Sequence, residues 1–288
     1  MTHRVSGSMR ALAAAAAFLS LMTRPASGQT PDLQGHWVHG AGATHSLEDG
    51  GDPAESVITG AGFNPNSPAI IVEPADGRIP YQPAAAHRRN EYLAHFIDSP
   101  TKWEHIDPHT RAWLSGVPRN NYVGPAAPYG LQIVQTPGYV LILYASNHAF
   151  RVIPMDGRPH LAGDVKLFMG DSRGRWEGNT LVVDVTNQND KTWFDFHGSF
   201  HSEALHVVER WTLVSPDRID YEATIEDPGV FTRPWKMAFP FIRRSERDHE
   251  IWEDARIEGE RDAEKMLVGG RREREAGRTG VHEHRRAR

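Results

Sequence analysis

The chain has 288 residues, no cysteine and a net charge of −5. Without thiols, disulfides, Cys-type zinc sites and thiol catalysis are excluded, so any metal takes His and carboxylate ligands. Residues 1–28 and 255–288 each carry +3, which leaves the body between them at −11 and disfavours nucleic acid, since phosphate binding requires a basic surface.

Arg4 and Arg10 precede the small apolar run ALAAAAAFLSLM, and Ala26-Ser27-Gly28 follows it. That order predicts a secretory signal over residues 1–28 and a mature chain beginning at Gln29, periplasmic or secreted. The run is too short to cross a bilayer, and no later segment approaches the roughly 20 apolar residues a spanning helix needs. One main domain is expected from the remaining residues, with a substantial core in place of disulfides.

Residues 29–130 hold an N-terminal strand at Gly35 to His39 and then an irregular, wrapping segment. It is rich in loop punctuation ("GAGFNPNSPA", "YVGPAAPYG") and has one helix near "PAAAHRRNEYLAHF". From 131 to 254 short β-rich runs alternate with turns: "LQIVQT", "YVLILYA", "AFRVIPM", the hairpin "GRWEGNTLVVDVTN", "ALHVVERWTLV", "RIDYEATIE", "WKMAFPFIRR" and "HEIWEDA". Pro137-Gly138, Gly178-Asn179 and Pro216-Asp217 supply the hairpin turns. The pattern predicts an all-β protein, an antiparallel up-and-down barrel closed or braced by the N-terminal strand. The charged tail, 255–288, reads as disordered or loosely helical.

Alternation assigns the faces. Ile219, Tyr221, Ala223 and Ile225 point inward, against Asp220, Glu222, Thr224 and Glu226. The same parity in "HSEALHVVERW" puts His201, Glu203, Leu205, Val207, Glu209 and Trp211 on the inner face and His206, Val208 and Arg210 opposite, so the inner face carries carboxylates. Arg151 and Asn147 share a face with Ala149 and Ile153, and Asp184 interrupts "LVVDV".

"PDLQGHWVHG", with Gly35 and Trp37, resembles the opening of lipocalin-like barrels. "LQIVQTPGYVLILYASNHAFRVIPMDGRPH", "MGDSRGRWEGNTLVVDVTNQND" and "HSEALHVVERW" resemble an uncharacterised family of exported bacterial proteins that open with PDLxGxW. The resemblance implies a lipocalin-like, calycin-type barrel and carries over no catalytic role; "WLSGVPR" lacks a cysteine associated with such relatives, and the tail is longer.

Two main functions compete. A barrel is a container for a hydrophobic or aromatic small molecule, and Trp176, Trp193, Trp211 and Tyr221 are the rings to stack on it. Alternatively, the polar lining does chemistry. His148, His201 or His206 would act as general base, oriented by Glu203 or Glu209, with Arg151 and Asn147 stabilising an anion and Asp184 a further polar group. That describes a cofactor-independent lyase or isomerase. The bland reading of Arg151 is an ion pair with Glu209 or Asp184. A third option binds a divalent metal through His201, His206 and Glu209, giving a metal-dependent hydrolase or lyase. No GxGxxG, P-loop or GxSxG context is present.

Overall fold

The computed structural model describes residues 30–39, 46–48, 70–97, 99–122, 130–245, 250–251 and 261–277. The signal segment, "GAGFNPNSPA" and most of "HEIWEDA", including Trp252, lie outside the described residues.

Strand β1 (Gly35–His39) pairs with β3 (Gly130–Thr136) on one side and β10 (Trp235–Arg244) on the other. From β3 the sheet runs to β4 (Tyr139–Tyr144) and β5 (Phe150–Pro154); from β10 it runs back through β9 (Arg218–Glu226), β8 (His206–Ser215), β7 (Thr180–Thr186) and β6 (Asp171–Glu177). Every ladder is antiparallel, and the short β2 (Ile71–Glu73) pairs with the start of β10. This is a nearly closed nine-strand up-and-down barrel. Its N-terminal strand joins the first and last strands of the meander.

The open seam lies between β5 and β6, where side chains replace the ladder. Arg151 donates to Ser172 Oγ at 3.0 Å, and β6 comes so close at Gly174 that an added Cβ would meet Met155 and lie 2.8 Å from Ile153 Cγ2. The expected strands from "LQIVQT" to "WKMAFPFIRR" agree with the observed ones to within a few residues, and two turns show why. Gly178 takes φ +58°, which favours glycine. Asn147 and His148 both take positive φ, 53° and 51°, and Ala149 N–H donates to Ser146 O, a two-residue primed turn between β4 and β5. Asn147 therefore sits in a turn, not on the strand face expected for it.

Alternation holds across β8, β9 and β10. Val207, Glu209, Trp211, Ile219, Tyr221, Ala223, Ile225, Met237, Phe239 and Phe241 are buried. Register places Trp211 opposite Tyr221 and Tyr221 opposite Phe239, so the rings meet. Trp211 stacks on Phe241 with centroids 5.0 Å apart, and Tyr221 lies 4.7 Å from Trp211 and 4.9 Å from Phe239. Burying each such side chain stabilises by roughly 1.5–3 kcal/mol. These rings fill the barrel interior.

Outside the barrel, α1 (Pro83–Ile97) begins at a proline whose fixed φ suits the first helical position. It docks through Tyr92, whose ring lies 4.7 Å from Trp193 and 6.0 Å from Phe200. The tail contains a helix, α2 (Asp262–Glu275), where disorder or loose helix was expected. Gly270 lets it approach residues 99–100: a Cβ there would lie 2.7 Å from Ser99 Cβ. Ser99 Oγ also donates to Glu273, and Arg274 donates to Ser99 O. Among the described residues no helix is long and apolar enough to cross a membrane.

Candidate functional site

The polar groups inside the barrel form a closed network. Glu209, on β8, is fully buried; its Oε1 accepts from Arg151 (3.0 Å), Asn121 (2.9 Å) and Tyr221 (2.9 Å), and its Oε2 from Arg151 at 2.5 Å. Tyr144 donates to Asn121 Oδ1 at 2.8 Å. Burial opposes the charge on Arg151, but the Glu209 carboxylate outweighs it and holds the guanidinium above its ordinary pKa. Burial, then the Glu209 charge, pushes the Tyr221 hydroxyl well up, and burial raises Tyr144 to about 12. Of the expected catalytic residues, Arg151 and Glu209 thus come together as the ion pair of the bland reading. This carboxylate is fully buried, and both of its oxygens already accept hydrogen bonds.

The histidines do not converge on it. His201 is buried; its Nδ1–H donates to Ser202 O (3.0 Å), so Nε2 accepts from the Thr192 hydroxyl (2.6 Å). Burial lowers its pKa and keeps it neutral. His206 lies on the opposite face of β8, as its parity requires, and meets Asp184 at 3.1 Å. Asp184 is itself on the outer face of β7, because its inward neighbour Val183 pairs with Glu209. Its other oxygen receives His160 Nε2 at 2.8 Å, while His160 Nδ1 meets Asp171. The hydrogen bond that His206 donates to Asp184 raises the pKa of His206 and lowers that of Asp184.

The rest of the expected set is scattered. Glu203 is exposed in a turn, and its carbonyl accepts from Lys166. His148 is exposed beside Asn147, which donates to Trp113 O at 3.0 Å. Among the described residues His201, His206 and Glu209 do not gather into a metal-compatible group. Trp211 and Tyr221 belong to the core, Trp193 is 5% exposed against Tyr92, and Trp176 is partly buried against the core.

Room for a ligand lies on the barrel's flank. A cleft of about 390 Å³ opens between α1, residues 99–110 and α2. Phe96, Phe196 and Met266 give it an apolar wall, and His95, His105, Asp107, Thr110 and Glu273 bring polar groups to it. At its floor Asp107 Oδ2 receives Arg119 at 2.7 Å, while Oδ1 accepts from the His109 and Thr110 backbones, so this carboxylate is engaged. The Arg119 guanidinium lies over the Phe196 ring, 4.6 Å from its centroid. His105 is buried, and burial followed by the neighbouring His95 lowers its pKa. A second hollow, about 400 Å³, lies on the outer face of β8 to β10, where Arg210 pairs with Glu177 and Arg218 with Asp220. Within the barrel, a space of about 10 Å³ beside Asn120 and Ser146 has room for one water.

None of the cleft residues is among those expected from sequence. One of them, His95, stands four residues after Glu91 in the helix read at "PAAAHRRNEYLAHF", a visible signal for one face of a helix. His105, Phe196 and Met266 join them only through tertiary structure.

No protein-family model matches the chain, and no curated protein matches it. A barrel fold of this kind can bind a small ligand.

Proposed function

We propose that the protein binds a hydrophobic or aromatic small molecule in the cleft between α1, residues 99–110 and α2, as an exported binding or carrier protein. The observation that carries this reading is the cleft itself. Its volume falls within the roughly 300–1,000 Å³ of small-molecule sites, and it pairs an apolar wall with a few convergent polar groups. The sealed Arg151–Glu209 network and the ring-filled interior weigh against chemistry inside the barrel.

Native mass spectrometry of the untagged protein tests it, with two variants. Met266→Glu puts a charge on the cleft wall at a residue 42% exposed, so the fold tolerates it; Tyr221→Phe alters the barrel interior. A retained molecule lost in Met266→Glu and kept in Tyr221→Phe supports the cleft; the reverse overturns it.

One observation favours the lyase or isomerase reading as a second choice. Asp184 orients both His160 and His206, which are partly exposed on the outer face, and a carboxylate-held imidazole is a proton-transfer device. A substrate whose turnover survives both His160→Gln and His206→Gln removes that reading.

A further inference from the structure

We propose that Glu91, His95 and His105 form a binding site for one divalent transition-metal ion of the zinc or cobalt class, at the wall of the flank cleft. One ligand atom from each of the three lies within 4.8 Å of the others. Glu91 and His95 are one helical turn apart on α1, the spacing that stacks two side chains on one face. His105 comes from the short 3-10 turn at Trp103–His105 and is buried against them.

Further observations concern the imidazole nitrogens. The His95 and His105 rings are stacked face to face, 3.6 Å between centroids and 13° from parallel, which brings the imidazoles together with their nitrogens aimed in parallel. His95 Nδ1 is buried and, among the described residues, has no hydrogen-bond partner, whereas buried nitrogens are ordinarily paired. The Thr101 backbone N–H donates to His105 Nδ1 at 3.4 Å, with the Thr101 hydroxyl 3.0 Å away, so Nδ1 is held and Nε2, turned toward Glu91, is the nitrogen that would give up its proton to a metal.

His105 Nε2 already faces Glu91 Oε1 at 3.3 Å. To bind at about 2.0–2.2 Å, the parallel rings splay so that their nitrogens converge. Lys102, 3.4 Å from the same Glu91 oxygen, has a side chain 56% exposed and swings into solvent. Two imidazoles and a carboxylate are a borderline donor set, suited to zinc or cobalt rather than calcium or magnesium. Three protein ligands leave a fourth position, and two of the three, His95 and His105, line the cleft. The site is independent of the cleft ligand, because the ion is detected without it.

The test uses the full, untagged chain stripped with a chelator and titrated with Zn²⁺ by calorimetry and with Co²⁺ by visible absorption. The expected result is one equivalent bound, with the intense d–d bands of a four- or five-coordinate Co²⁺. Affinity is expected to fall by more than about a hundredfold, the upper end of the cost of losing an outer partner, in His95→Gln and His105→Gln. His87→Gln, an exposed histidine on the same helix, should match the wild type. If the histidine variants do not fold by circular dichroism, Glu91→Ala decides, since Glu91 is exposed; its Co²⁺ spectrum should change. Failure of the wild type to bind saturably overturns the proposal. So does unchanged affinity in the folded variants, or binding that instead follows His282 and His284 of the tail.

Discussion

Arg151 on β5 closes two nitrogens onto the carboxylate of Glu209 on β8, at 3.0 and 2.5 Å, inside a barrel where both side chains are almost wholly buried. The pair links the seam strand to the middle of the meander, because Arg151 also reaches Ser172 on β6. Its role is structural, and it makes a sharp prediction. Arg151→Met leaves a buried, unpaired carboxylate and is expected to cost about 3–5 kcal/mol in urea denaturation. Adding Glu209→Gln to that variant removes the stranded charge and should recover more than half of the loss. No recovery would mean that the cost comes from packing at the seam.

The seam itself can be tested at Gly174. Gly174→Ala drives a methyl into Ile153 and Met155, which join β5 to its neighbour across the missing ladder. Met155 can shift, but Ile153 is fully buried and stiff. The expected loss is about 1–3 kcal/mol, and a variant as stable as the wild type would show that β6 is not held tightly against β5.

His206 gives a pH signature. Its hydrogen bond to Asp184 raises its folded pKa above the ordinary 6.5, so the stabilisation is fully present below that value and is lost as pH rises through the raised one. His206→Gln should therefore lower the melting temperature at about pH 5.5 and converge on the wild type in alkaline solution. The effect is small, under about 1 kcal/mol, because the side chain is over a third exposed. A melting-temperature difference that does not vary with pH would remove the ion pair from the account.

His201 has the opposite sign. Burial depresses its pKa below 6.5, so the folded state keeps it neutral and loses stability as pH falls below the ordinary value. Gln at this position can also accept from Thr192 and donate to Ser202 O without titrating. His201→Gln should flatten the acid limb of a melting-temperature profile between about pH 4.5 and 7.5. A profile as steep as the wild type's would assign the acid limb to other groups.

The strands from β3 to β10 were legible because most have one buried and one wetter face, and period-2 alternation then marks strand and face together. The inward carboxylate Glu209 followed from that parity, which left Glu209 and Asp184 both open as the partner of Arg151. β7 was not legible in the same way: Leu181, Val182 and Val183 are all fully buried, so both faces read as apolar and the sequence pattern does not show that Asp184 points outward. Asn147 was misplaced because its strand pattern continues to a turn set by two positive φ angles. The cleft was illegible for a different reason. Its walls come from His95 and Phe96, from residues between 99 and 110, from Phe196, and from a tail helix carrying Met266 whose composition is too polar to announce a packed face.

The methionine methyl groups test the central claim most directly, because Met266 lines the cleft while Met237 is fully buried in the barrel. In ¹³C-methyl-methionine NMR, titration with the aromatic anion 8-anilinonaphthalene-1-sulfonate should shift and broaden the Met266 signal and leave Met237 in place. A saturable shift of Met237 with Met266 unmoved would put the ligand inside the barrel and contradict the cleft as the binding site.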